Sequence, residues 1–254
     1  MVHSKMVQAR LDNGRQINAS IDTHLNTCVQ SLVRELTPHL PQGHTLDNAQ
    51  ITLLCQAMQQ RYLTQMKNMQ NSDEKAQLER GETLTVRIEL DQAIEEAYDH
   101  LSNFKQSIRQ KYGQEYLKQL RLQGETPRNA EALLQQLSQL STWCTQAQNE
   151  FPTQTINPFE QPFQKAAVMR IIQGAQAALH KAVEHYRKEQ REDEAVFQQK
   201  NRDVQLHDQM ESQTVQFFRW MLRFIDLDEE ARRLRPFRTT RNAPSEDATQ
   251  TPTS

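Results

Sequence analysis

The chain has 254 residues, 36% of them hydrophobic and 24% charged, with only 6 glycines and 9 prolines. That length can bury a core without disulfide or metal staples, while so little Gly and Pro excludes sandwiches and barrels, which need turn residues every roughly 8–12 positions. The 35 glutamines, set against sparse Val, Ile and aromatics, favour helix over sheet, and 30 basic against 32 acidic residues leave a net charge of -2 that draws neither nucleic acid nor membrane.

In chain order, the opening residues Met1 to Gln8 hold no apolar run suited to a signal peptide. Ile17, Ile21, Leu25, Cys28, Val29, Leu32, Val33 and Leu36 then recur at three-and-four spacing, which predicts a first helix over 17–36 with one apolar stripe. Pro38, Pro41 and Gly43 end it, because the residue before a proline is pushed out of helical geometry. Thr45 or Asp47 is placed to cap a second helix carrying Ile51, Leu54, Cys55, Met58, Tyr62, Met66 and Met69. Asn71 to Glu74 reads as a turn and a new cap.

A long third pattern covers 76–122, with Leu84, Ile88, Ala97, Leu101, Phe104, Ile108, Tyr112, Leu117 and Leu120. Within it, Thr83 to Leu90 alternates like a strand, but a lone strand has no ladder to join, so helix is expected there. Gly124 should end this helix and Thr126-Pro127 start the next, which carries Leu133, Leu134, Leu137, Leu140, Trp143 and Cys144. Three prolines make 149–162 an extended connector.

Between Gly174 and Pro236 there is neither Gly nor Pro. A narrow alanine-rich stripe (Phe163, Ala167, Ile171, Ala175, Ala178, Leu179, Ala182, Tyr186) leads into a charged stretch. Either the helix continues solvated there or it reverses near Lys200 to Asp203, and average helix lengths favour the reversal; the two long helices are expected from the regions 76–122 and 163–234. The tail at 237–254, made of Pro, Ser, Thr, Asp and Asn, is expected to be disordered. The fold expected is all-α: an elongated bundle of about six helices, two of them long, forming a single domain over 1–236.

Chemistry is sparse in this pattern. Cys28, Cys55 and Cys144 stand apart and form no C-x-x-C pair, which predicts reduced, buried thiols rather than a disulfide or zinc site. No His has a Glu three residues before it, the spacing di-iron bundles use. The nearest pairs, Glu96/His100 and His180/Glu184, fall on a flank and on the solvent side of their helices. No phosphate-binding Gly loop, nucleophile elbow or His-Glu-x-x-His is present. Catalytic residues, metal ligands and cofactors are therefore expected to be absent, and no uncharged stretch nears the ~18 residues a membrane span needs.

The most informative segment is Val215 to Leu227. Its polar residues Gln216, Arg219, Arg223 and Asp226 form one narrow stripe, with apolar side chains in every other direction. Such a helix is either central in its own core or covered by a partner. Phe217, Phe218, Arg219, Trp220, Arg223 and Phe224 are the candidate partner-binding residues. Beyond them, Arg232, Arg233, Arg235, Arg238 and Arg241 could contact phosphates, although Asp228, Glu229 and Glu230 offset part of that charge. The expected function is a non-enzymatic, self-associating interaction or scaffold protein of the cytoplasm. Nucleic-acid association through the arginines is the alternative, and a helical enzyme without a recognisable motif the third.

Overall fold

The structure is a computed structural model and describes residues 3–157 and 159–237; the expected tail, from residue 238 onward, lies outside them. Among the described residues there are six α-helices and no strand. They are α1 (Lys5–Leu36), α2 (Asn48–Tyr112), α3 (Gln114–Gln119), α4 (Ala130–Thr145), α5 (Lys165–Phe224) and α6 (Asp228–Arg233), with a short 3-10 turn at Thr37–His39. The all-α expectation holds, including the two long helices. Thr83 to Leu90 is helical: Val86 is buried whereas Leu84 and Ile88 are exposed, which is not the two-sided pattern a strand would need.

The described residues form two compact units, one from residues 3–76 with 196–237 and one from 77–195. In the first, α1, the start of α2, the end of α5 and α6 enclose Ile17, Ile21, Leu25, Val29, Leu32, Cys55, Tyr62, Val215, Phe218, Met221 and Leu222. Val7, Leu11, Met69 and Val204 form a smaller cluster in the same unit. In the second, the rest of α2 packs with α3, α4 and the start of α5 around Leu101, Ile108, Leu117, Leu133, Leu137, Leu140, Ile172 and Leu179.

Several expected boundaries fall elsewhere, each for a local reason. Helix α1 begins at Lys5, well before Ile17. Its first turns hold Arg10, a residue that reads as surface but is buried by an ion pair with Asp208. No turn forms at Asn71 to Glu74. Asp73 instead accepts the Ser4 backbone N–H and hydroxyl, both at 2.8 Å, so a residue that looks like a cap for its own helix holds the residue from which α1 starts. Nor does the chain reverse at Lys200 to Asp203, because Lys200 pairs with Asp73 and the Asp203 carbonyl accepts from Gln65.

The long third helix is cut at Gly113, whose φ of 83° no L side chain adopts easily. The next helix starts at Ala130 rather than Thr126, with Asn129 accepting from the Glu131 and Ala132 N–H groups. The buried face of α5 in the second unit runs through Val168, Ile172, Leu179 and Val183, and Ile171 is exposed.

The connector after α4 is non-helical, as its prolines require, but it is firmly held. Phe151 is buried against Tyr112, Trp143 and Phe163. Ile156 N–H donates to the Lys111 carbonyl at 2.8 Å, and Phe163 N–H donates to the Tyr112 hydroxyl at 2.9 Å. Lys165 donates to the Gln146 and Asn149 carbonyls from the other side.

Candidate functional site

The aromatic segment closing α5 splits between core and surface. Val215, Phe218, Met221 and Leu222 are buried in the first unit, so Phe218 leaves the surface set. Phe217 is half-buried, its ring edge-on to Phe218 at 5.3 Å. Trp220 and Phe224 face outward at 54% and 36% exposure, one turn apart, with ring centroids 5.6 Å from each other. They end a line through Leu206, Met210, Gln213 and Phe217, spaced alternately four and three residues. Leu206 is also exposed and Met210 half-buried. Arg219 has a buried Nε with no partner among the described residues, and Arg223 is exposed, 3.9 Å from the Asp228 carboxylate. Five of the six expected partner residues thus lie at least partly on the surface.

The arginines are less free than their number suggests. Arg233 is held by Glu229 and Glu230 at 2.9 and 2.8 Å, and the Arg235 side chain donates to the Arg232 carbonyl. Arg233 and Arg235 line a cavity of about 380 Å³ with Asn13, Ser20, His24 and Glu230, between α1 and α6. Arg238 and Arg241 lie outside the described residues.

A buried polar cluster in the same unit has no counterpart among the sequence expectations. Arg10 makes a two-pronged pair with Asp208, Nε to Oδ1 at 2.7 Å and the terminal nitrogen to Oδ2 at 2.8 Å. His207, fully buried, has Nδ1 3.4 Å from Asp208 Oδ1, while Nε2 has no partner among the described residues. Glu211, also fully buried, accepts from Asn13 at 2.6 Å, the Tyr62 hydroxyl at 3.4 Å and the Phe237 N–H at 3.1 Å. The Tyr62 and His207 rings pack at 5.5 Å. One donor atom each of His207, Asp208 and Glu211 lies within 4.8 Å of the other two.

The electrostatics reflect this geometry. Burial tends to raise Asp208, but the Arg10 and His207 contacts outweigh it and hold the carboxyl below its usual range. Glu211 moves up, burial outweighing the donors around it. Tyr62 is pushed well above the ordinary phenol by burial and then by Glu211. The di-iron spacing, Glu three residues before His, does not cover this turn, because His207 and Glu211 are four apart with the His first. That spacing also shares a helix face, and was the available signal.

The remaining candidates are ordinary. His100, Glu96, His180 and Glu184 are exposed. Cys28, Cys55 and Cys144 are buried and unpaired; burial, with Cys55 beside it, pushes the Cys28 thiol up to about 11, so none resembles an activated nucleophile. In the second unit, Glu79, Glu189 and Glu192 bring three carboxylates together, and burial followed by the neighbouring acids raises Glu79.

No family model, curated protein or solved structure matches this chain. None of the described helices is long and apolar enough to cross a membrane.

Proposed function

We propose that this chain is a non-enzymatic helical interaction protein that pairs with a second copy of itself through the outer face of α5. The observation that carries this reading is the exposed Trp220–Phe224 pair at the end of the seam from Leu206. Alternate four-and-three spacing is the period at which two helices keep facing one another. Trp and Phe at the centre of a contact supply most of its energy, and Arg219 and Arg223 flank them as a polar rim. Three unpaired thiols fit a cytoplasmic location.

The test is mass by light scattering on the full chain and on Trp220→Ser and Phe224→Ser. Each ring is partly in solvent, so each variant should keep its melting temperature within a few degrees while the mass falls to that of one chain. An unchanged mass with a lowered melting temperature would place these rings in structural packing and refute the proposal. Nucleic-acid association is the competing outcome. The chain should not be retained on DNA at moderate salt, and tight, salt-sensitive retention that is lost on removing the residues after Pro236 would favour it.

A further inference from the structure

In the buried cluster on α5 only one of the two carboxyl groups faces an arginine. Arg10 neutralises Asp208 through two hydrogen bonds, and that leaves the Glu211 carboxyl without a cationic partner of its own. Beside it stands an imidazole with one nitrogen unmatched. Asp208 is held by Arg10 as an acceptor, so the His207 nitrogen facing it, Nδ1, carries the proton. In the neutral ring the lone pair is then on Nε2, the buried atom without a partner among the described residues. Metal-binding histidines are presented in this way, one nitrogen donating to a carboxylate that fixes the ring and the other turned to the ion.

We propose that His207, Glu211 and Tyr62 form a buried site for one divalent transition-metal ion of the zinc type, with Asp208 and Arg10 holding the imidazole in place. The donor set is one nitrogen and two oxygens, suited to zinc and to cobalt as its stand-in. The Tyr62 oxygen and Glu211 Oε1 are 3.4 Å apart, which is about the edge of a tetrahedron with metal–ligand bonds near 2.1 Å. His207 and Glu211 project from the same face of α5, and Tyr62 meets them from α2. Gly14 of α1 leaves the space that the Tyr62 hydroxyl occupies: a Cβ there would stand 2.6 Å from it.

The experiment uses the full chain stripped by a chelator and titrated with Zn2+, and separately with Co2+. One equivalent should bind, raise the melting temperature, and with Co2+ give visible d–d absorption bands. Glu211→Gln keeps the shape but only one of the two acceptor oxygens, so it satisfies either Asn13 or Phe237 and not both, and it should weaken binding about 100-fold or more; Tyr62→Phe loses one hydroxyl and should weaken it about tenfold. Circular dichroism establishes that each variant is folded, and if Glu211→Gln is not, Tyr62→Phe decides. Replacing the exposed His180 and His185 together should leave affinity unchanged. Zinc that binds equally to wild type and to the folded variants, zinc lost with the His180/His185 pair, or no stabilisation by zinc at all would overturn the site.

Discussion

Two residues carry a left-handed backbone that glycine usually supplies. Arg121 (φ 56°) and Asp226 (φ 58°) each come just after a helix end. At both, the next residue's N–H bonds back to the fifth carbonyl before it, Leu122 to Leu117 and Leu227 to Leu222, both at 2.9 Å. This is the Schellman closure, in which a side chain at the left-handed position is strained. Arg121→Gly and Asp226→Gly should therefore each stabilise by about 1 kcal/mol, read as a higher denaturant midpoint at unchanged slope. Glycines inside helices give the opposite contrast. Gly81 has open space around its missing side chain, and Gly81→Ala should stabilise by ~0.5–1 kcal/mol. Gly14 faces Tyr62 and Met66 Sδ at 2.6 and 2.7 Å, so Gly14→Ala should cost roughly 1–3 kcal/mol through overpacking.

At the scale of elements, Asp73 and Lys200 decide where α1 begins and why α2 and α5 do not break. Burial acts to raise Asp73, but hydrogen bonds from Lys200 and Ser4 prevail and lower it. A depressed carboxylate stabilises the fold above the unfolded value of about 3.9 and loses that contribution as pH falls through its lower folded value. Asp73→Asn should therefore destabilise at neutral pH and flatten the acid limb of a stability–pH curve, measured by urea unfolding from pH 7 downward. The same residue shows where local sequence signals stop. The apolar periods of α1 and α4 and the proline-rich connector were legible because their causes are local. The unbroken run of α2 through Asn71 to Glu74 was not, nor was the choice between continuing and reversing at Lys200 to Asp203, since both stretches have turn-like composition and their partners come from distant positions. The candidate sites divide in the same way. The Val215 to Leu227 surface could be named from composition, with Phe218 misplaced because a helix exposed on one face still buries the other. The His207 cluster depends on Arg10, Asn13 and Tyr62 arriving from two other helices, and only the His207/Glu211 spacing was visible beforehand.

For the molecule as a whole, burial of all three thiols gives a direct test of integrity. The high position of Cys28, with Cys55 and Cys144 also raised chiefly by burial, leaves little thiolate at neutral pH. A thiol reagent should modify the native chain slowly and all three cysteines rapidly in denaturant; fast labelling of native protein would contradict the packing of both cores. The division of the chain has a further consequence, in the order of its birth. The unit formed by 77–195 is one unbroken stretch, whereas the other joins 1–76 to residues from 196 onward. During synthesis the inner stretch has all its residues as soon as it leaves the ribosome, while α1 and the start of α2 wait, their apolar stripes uncovered, for the last part of α5. Residues made before the inner stretch are thus completed after it.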